Sequence, residues 1–209
     1  MKKKVDAIIA ILKDRYPDPA CALHYKKDYE LMISVRLAAQ CTDARVNMIT
    51  PALFAAYPTL ESMAAADIQD VENYVKTCGF FRQKAKDIVL GCQMLLNEYG
   101  GKVPGTMDEL LKIPGVGRKT ANLLLGDLYS IPGSVVCDTH CIRICGRLGL
   151  SQGKEPEKVE KQLREILPPE ESSDFCHRIV WFGREVCTAR NPKCSQCPLA
   201  PYCKMFTGQ

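Results

Sequence analysis

Four cysteines close to the C-terminus have the spacing of a metal-binding loop. They are Cys187, Cys194, Cys197 and Cys203, separated by six, two and five residues. Thiolates are soft ligands, and four of them so close together indicate a tetrathiolate site. A structural zinc ion and an iron–sulfur cluster both use four cysteines, so the spacing alone leaves the metal open. Because the protein would supply all four ligands, no position would remain for a substrate, and we expect a structural role.

A proline–glycine turn followed by basic residues has the composition of an anion site. Residues 110–120 read Leu-Leu-Lys-Ile-Pro-Gly-Val-Gly-Arg-Lys-Thr. Pro114 ends the preceding helix, and Gly115 and Gly117 allow positive φ, so we expect a tight hairpin and a second helix starting near Gly117. Free N–H groups at that helix start would bind a phosphate. A dinucleotide fingerprint and a P-loop both fail, because no strand precedes the turn and Arg118 separates glycine from lysine. The remaining alternative is a plain turn between two helices.

Two charged residues near this turn have side chains suited to a reaction. Lys119 lies in the first turn of the expected second helix. A lysine amine becomes a nucleophile when desolvation or nearby positive potential lowers its pKa, and the helix start and Arg118 supply such potential. The alternative for Lys119 is one more phosphate contact. Asp138 lies in Val-Val-Cys-Asp-Thr-His-Cys-Ile-Arg, residues 135–143, and on its own is best explained as a helix N-cap.

These motifs together resemble one family. Residues 110–120 are similar to the helix-hairpin-helix motif of DNA repair glycosylases, whose hairpin backbone grips a DNA phosphate, and Val-x-Asp-Thr-His matches the position of their catalytic aspartate. The cysteine spacing matches the four-iron four-sulfur loop of the endonuclease III group of that superfamily. The resemblance covers residues 5–203. It implies Lys119 as the nucleophile, Asp138 as the stabiliser of positive charge on a deoxyribose ring, and one [4Fe-4S] cluster on the four C-terminal cysteines.

The resemblance also implies a set of DNA contacts. Gln40 is expected to enter the stack that a flipped-out nucleotide vacates, and Phe80 to act as the wedge beside it. Many relatives have an aliphatic residue at position 80, and a buried Phe80 is the alternative. Arg190 and Lys193 lie between the first two cysteine ligands in a segment without carboxylates, which suits phosphate contacts. The expected DNA-binding residues are Gln40, Phe80, Ile113, Gly115, Val116, Gly117, Arg118, His140, Arg143, Arg190 and Lys193.

The predicted function is base excision repair. The chain is expected to be a bifunctional DNA glycosylase and apurinic/apyrimidinic lyase that flips out and removes oxidised pyrimidines through a lysine Schiff base and then cleaves the strand by β-elimination. Its partner would be double-stranded DNA containing damaged pyrimidines or abasic sites. An adenine mismatch glycosylase of the same fold is one alternative, but that branch lacks the lysine and carries a glutamate where this chain has Val35. A non-catalytic DNA-binding helix-hairpin-helix protein is the other, and the presence of both Lys119 and Asp138 argues against it.

The elements that would position these residues are helices. Nearly every periodic segment predicts helix, including a nearly all-apolar helix over residues 29–39, and no strand alternation stands out. The expected fold class is all-α, with two helical domains, a helix-hairpin-helix motif and a C-terminal iron–sulfur cluster loop. A break at Pro132-Gly133 and the family resemblance predict a six-helix bundle domain over residues 21–131. Residues 1–20 plus 132–209 would form a discontinuous iron–sulfur cluster domain, with the active site in the cleft between the two.

Composition narrows the protein class. The chain has 209 residues, 46% of them hydrophobic and 25% charged, as in an ordinary globular protein. A net charge of +4 permits nucleic-acid binding without arguing for it. No stretch approaches the roughly 20 apolar residues of a membrane span. We therefore expect a cytoplasmic monomer, associated with the nucleoid through DNA and not with a membrane.

The cysteine content fits the same compartment. Twelve cysteines in a cytoplasmic chain argue against a disulfide framework. Cys137, Cys141 and Cys145 recur at every fourth residue and resemble a second ligand set, but we expect them to pack in the core along one helical face.

Overall fold

The computed structural model describes residues 1–208, and within that range it contains helices and no strand. The α-helices are α1 (Lys2–Arg15), α2 (Asp28–Ala38), α3 (Asp43–Ala56), α4 (Leu60–Ala64), α5 (Ile68–Val75), α6 (Phe81–Glu98), α7 (Met107–Leu110), α8 (Arg118–Tyr129), α9 (Thr139–Arg147), α10 (Pro156–Ile166), α11 (Ser172–Glu185) and α12 (Lys204–Thr207). Single 3-10 turns cover Pro169–Glu171, Cys194–Gln196 and Ala200–Tyr202. The all-α prediction is confirmed. Across the described residues no helix has the length and apolar content needed to span a membrane.

Helix ends follow local sequence signals. Thr42 caps α3 and Asp67 caps α5, each accepting a backbone N–H from the first turn of its helix. At the other end of α6, Gly100 and Gly101 adopt φ of 60° and 78°, and the Gly101 N–H donates to the Leu95 carbonyl at 2.8 Å. These left-handed glycines satisfy carbonyl groups that the helix leaves without partners.

Residues Cys21–Tyr129 form one compact unit that contains α2 to α8. Its central helix is α2, in which Leu31, Ile33 and Leu37 are fully buried. The predicted apolar helix over residues 29–39 is confirmed, and it is apolar on nearly every side because α3, α6 and α8 all pack around it. This unit carries the hairpin, Gln40 and Phe80.

The second unit combines residues 1–20 with the chain from residue 130 onward. It contains α1 and α9 to α12, and α11 packs against both α1 and α9. Phe175, Ile179 and Phe182 fill the buried face of α11. This unit carries Asp138 and the four C-terminal cysteines. That the two units are separate folding domains stays a prediction.

The non-ligand cysteines of α9 belong to the core. Cys141 and Cys145 are completely buried, with their sulfur atoms 4.0 Å apart. Cys137 is also buried but precedes the helix, so the expected common helical face holds for only two of the three. The expectation that they pack as small apolar side chains agrees with this burial.

Candidate functional site

The turn between α7 and α8 is a tight hairpin anchored by two apolar side chains. Ile113 is only 2% exposed and Val116 is also buried, while the Val116 N–H donates to the Ile113 carbonyl at 3.0 Å. Gly115 between them has φ of +77°, a conformation that side chains other than glycine rarely adopt. Helix α8 then starts at Arg118. The two buried side chains therefore anchor the hairpin on its core side, while its solvent-facing side stays accessible.

Gly117 differs from the prediction. It is not among the glycines with positive φ, and a Cβ atom placed on it would meet nothing within 4 Å. The expectation that Gly117 needs positive φ is wrong, because the single left-handed residue Gly115 is enough to reverse the chain. Gly117 instead leads into α8, and its carbonyl accepts the Ala121 N–H at 2.9 Å.

Lys119 is the second residue of α8 and is exposed, as is Arg118 before it. The first N–H groups of an α-helix have no acceptor within the helix, and the helix dipole adds positive potential there. Two cationic side chains and these amides thus follow the hairpin directly. Such a helix start has the chemistry of a phosphate site.

Gln40 and Phe80 occupy two adjacent loops of the same unit. Both are exposed and both have left-handed backbones, with φ of 54° and 57°. Cys41 and Cys78 join the two loops through a 3.6 Å sulfur–sulfur contact. Phe80 is 69% exposed, so the alternative of a buried Phe80 is wrong. Positive φ costs a residue with a side chain about 1 kcal/mol or more, and strain of this kind is concentrated at functional sites.

A buried lysine fixes the loop that contains Gln40. Lys84 on α6 is 1% exposed, and its Nζ donates to the carbonyls of Leu37 and Ala39 at 2.8 and 2.6 Å. These carbonyls lie at the C-terminal end of α2, where helical acceptors lack partners. Burial lowers the pKa of Lys84, because the charged form loses hydration. No local sequence pattern predicts this contact, because Lys84 lies 47 and 45 residues along the chain from its two acceptors.

Asp138 is the N-cap of α9. It is half-buried, and its Oδ1 accepts the Cys141 N–H at 2.7 Å. The capping role inferred from the residues alone is therefore confirmed. The cap holds the carboxylate at the start of a helix in a fixed orientation.

His140 and Arg143, expected among the DNA contacts, make intramolecular bonds. Arg143 Nη2 lies 3.1 Å from His140 Nδ1 and donates to the Cys187 carbonyl at 2.9 Å. Burial lowers the pKa of Arg143. Their DNA contacts stay a prediction. In the structure Arg143 supports the first residue of the cysteine loop, and His140 contacts Arg143.

Arg147 is a supporting residue that the sequence analysis missed. Its guanidinium donates to Cys187 Sγ at 3.1 Å and to the Thr188 and Ala189 carbonyls at 3.0 and 3.2 Å. An arginine in the last turn of a helix is common for dipole reasons alone, so its sequence context did not distinguish it.

The four predicted cysteine ligands line one pocket. Cys187, Cys194, Cys197 and Cys203 border this pocket together with apolar residues such as Pro192 and Met205. Across residues 1–208 no three potential ligands are grouped around one ion-sized point. The four cysteines therefore share one pocket.

The charges of this loop suit an iron–sulfur cluster. Burial and the neighbouring thiols raise the pKa of Cys197, since thiolates crowded together repel one another. A cluster removes this repulsion by bonding directly to deprotonated sulfur. Arg147 adds a charge-assisted donor to one ligand. The donor set therefore fits a four-cysteine cluster, while Arg190 and Lys193 lie exposed on the same loop.

Comparisons with known proteins agree with this arrangement. Residues 33–169 match the model of the HhH-GPD superfamily of base excision DNA repair proteins, and residues 187–203 match the iron–sulfur binding domain of endonuclease III. The chain carries one [4Fe-4S] cluster on that loop.

Full-length relatives give the same assignment. The chain is 42% identical to endonuclease III of Synechocystis sp. over 97% of this chain and 92% of the relative. It is 36% identical to endonuclease III of Escherichia coli K12 over 97% and 96% of the two chains. A trapped endonuclease III–DNA covalent intermediate superposes with a TM-score of 0.93 at 38% identity, covering 100% of this chain and 98% of that one. The chain belongs to the endonuclease III group of the HhH-GPD superfamily of base excision DNA repair proteins.

Proposed function

We propose that this protein binds double-stranded DNA, removes oxidised pyrimidines and cleaves the resulting abasic site by lyase chemistry. The observation that carries the proposal is Lys119, an exposed amine in the first turn of α8 directly after the hairpin. A glycosylase that forms no covalent intermediate needs no amine at this position. The relative captured as a covalent complex with DNA supports the same chemistry.

The hairpin would bind the DNA backbone. The exposed amides at the start of α8 and the cation Arg118 suit a phosphate oxygen, and Ile113 and Val116 hold the turn rigid from the core side. Because these contacts are to phosphate, they would position the duplex without reading its sequence.

The exposed loops would open the duplex. Extruding a nucleotide leaves a gap in the stack, and Gln40 would fill it while the Phe80 ring stacks at the neighbouring step. Their fixed left-handed backbones support this role, because a pre-ordered loop loses less entropy on insertion.

The chemical steps would use Lys119 and Asp138. The Lys119 amine attacks C1′ of the damaged nucleotide, the bond from C1′ to the base breaks, and the base leaves after taking up a proton. The Asp138 carboxylate stabilises the positive charge that develops on the sugar. The bond from C1′ to the ring oxygen O4′ then breaks, O4′ takes up a proton, and C1′ is left as a protonated Schiff base with Lys119. The Schiff base acidifies the C2′ proton, and loss of that proton expels the 3′ phosphate. The cluster would hold its loop in shape, with Arg190 and Lys193 available for phosphate contacts.

The sequence features also weigh against the two alternatives. Val35 occupies the position aligned with the glutamate of the adenine mismatch branch. Valine has no carboxylate, and this side chain is buried in α2. A non-catalytic binder would have no use for Lys119 beyond charge.

Borohydride trapping tests the proposal. Wild-type protein incubated with a duplex containing oxidised thymine should yield a covalent protein–DNA adduct and a β-elimination product. Lys119→Gln should bind the duplex but give neither. Lys112→Gln, an exchange at another exposed lysine beside the hairpin, is the matched control and should trap normally. An adduct formed by Lys119→Gln at the wild-type rate would assign the chemistry to another amine.

A further inference from the structure

The inner side of the hairpin touches a charged pair. A Cβ atom placed on Gly115 would lie 2.5 Å from Arg36 Nε, 2.6 Å from Arg36 Cδ and 2.9 Å from Asp87 Oδ2. No side chain fits at such distances, so the hairpin backbone rests directly on these two side chains. Gly115 is needed here for its size as well as for its positive φ.

Arg36 and Asp87 form a closed, largely buried network. Arg36 Nε and Nη2 both donate to Asp87 Oδ2, at 2.8 and 2.6 Å, and Gln83 Nε2 donates to Asp87 Oδ1 at 2.7 Å. The side chains of Arg36 and Asp87 are 19% and 9% exposed. Both carboxylate oxygens thus have partners, and the guanidinium orientation is fixed by two bonds to one oxygen.

The network links the hairpin to the two helices that lead to the DNA-facing loops. Arg36 lies near the end of α2, just before the loop of Gln40, and Asp87 lies in the second turn of α6, after Phe80. On the same helix, Gly91 leaves room for Ile113, whose Cγ2 would lie 3.4 Å from a Cβ at that position. Hairpin, α2 and α6 therefore meet at one polar contact flanked by an apolar one.

We propose that Arg36 and Asp87 are positioning residues for the phosphate-binding hairpin. The ion pair sets the height and tilt of Gly115, so that the amides following it point at a DNA phosphate. A buried ion pair is a weak source of net stability, because desolvation offsets the attraction, but its geometry is demanding. The pair therefore acts on DNA affinity through backbone placement. This inference rests on the proposed function.

A direct phosphate contact by Arg36 is the competing explanation. The two explanations differ in the expected effect of removing the charge of Asp87. If Arg36 bound phosphate itself, removing Asp87 would free its charge and strengthen DNA binding. If the pair positions the hairpin, removing either partner weakens binding. Loss of a phosphate contact also reduces the slope of log K against log salt concentration by about 0.9 per contact. Misplacement of the hairpin backbone removes no cation from the interface, so this slope should stay unchanged.

The experiment measures affinity for an abasic-analogue duplex over a salt series with the full-length, cluster-loaded protein. We expect Arg36→Met and Asp87→Ala each to raise Kd at least tenfold with an unchanged salt slope. Single-turnover cleavage at saturating protein should keep its wild-type rate, because Lys119 and Asp138 are intact. Tighter binding by Asp87→Ala, or a reduced slope for Arg36→Met, would overturn positioning in favour of direct contact.

A double variant separates positioning from stability. Arg36→Met/Asp87→Leu replaces the pair by apolar side chains, which often restores or improves stability at buried pairs. We expect its melting temperature to recover while Kd stays high. If affinity returned together with stability, the pair would only be structural and the inference would fail.

Two glycines provide the matched steric control. Gly115 and Gly133 have nearly equal φ, +77° and +78°, but a Cβ at Gly133 would meet nothing within 4 Å. Gly115→Ala should therefore raise Kd strongly and Gly133→Ala should not, and equal effects would contradict the steric contact. Absence of wild-type binding and trapping would reject the proposed function itself, whereas wild-type binding with unaffected variants would reject only the positioning role.

Discussion

Asp138 has one demonstrated structural contact and one proposed chemical role. Its Oδ1 caps α9 through the Cys141 N–H. Asparagine is as good an N-cap as aspartate but carries no charge. The two roles can therefore be separated by a single exchange.

Asp138→Asn should bind lesion DNA and fold normally but turn over at least about 10²-fold more slowly, as is usual when an electrostatic stabiliser is lost. Single-turnover base release and thermal melting measure the two effects. Asp67→Asn, the same exchange at the cap of α5, is the control and should leave turnover unchanged. Lower stability with normal turnover in Asp138→Asn would reduce its role to the cap.

Phe80 illustrates how a strained residue can be recognised at this scale. Its left-handed backbone and exposed ring give it no evident stabilising role in the free protein. Strain without compensating burial is expected where a side chain serves binding.

Phe80→Gly should melt at a higher temperature than the wild type, because glycine adopts positive φ without the cost of about 1 kcal/mol borne by other residues. It should also release the damaged base more slowly, because the ring that enters the stack is gone. Phe80→Ala removes the ring but keeps the strained backbone, so it should be equally slow without the gain in stability. A Phe80→Gly protein with normal base release would remove Phe80 from the wedge role.

At the scale of elements, the hairpin and the helix after it form one unit. Gly115 is committed to the inner contact with Arg36 and Asp87, while Gly117 faces open space. The two glycines therefore differ in the backbone conformation and the side-chain size that each position allows, although positive φ was expected at both. Only a bound phosphate would restrict the size of residue 117.

Gly117→Val should leave the fold intact by circular dichroism. It should weaken binding to an abasic-analogue duplex, since the added side chain covers the proposed phosphate site at the start of α8. Gly146→Val, at another glycine with open space around it, is the control for a valine added to the surface of a helix. Unchanged affinity of a folded Gly117→Val protein would make the hairpin a plain turn.

At the scale of the whole molecule, the C-terminal loop depends on its cofactor. The segment from 187 to 203 has only two single 3-10 turns, and few apolar side chains hold it. Arg143 and Arg147 tie its first residues to α9. The remainder of the loop would be organised by the four cysteine–iron bonds.

Anaerobically purified protein should be brown, absorb broadly at about 400 nm and contain iron. Cys197→Ser should give little soluble protein, because a ligand to the cluster is lost and the loop loses its support. Cys21→Ser, at a half-buried cysteine of the other unit, should keep the colour. Colourless, zinc-loaded protein with full activity would reject the iron assignment.

The sequence by itself determined the features that depend on neighbours within about one helical turn. Helix bounds follow apolar periodicity and caps such as Thr42, and the hairpin follows from Pro114 and Gly115. These signals act over a few residues, where backbone geometry fixes which groups can meet. The cysteine spacing indicated a metal-binding loop, and the family resemblance supplied the identity of the cluster.

Only the tertiary structure decided the contacts between distant segments. Arg36 and Asp87 are 51 residues apart, Lys84 lies 45 residues from the carbonyl of Ala39, and Arg147 lies 40 residues from Cys187. Local periodicity marks a residue as buried or exposed but does not select its partner. The partner depends on how the helices pack, and helix packing is set by the fit of many side chains at once.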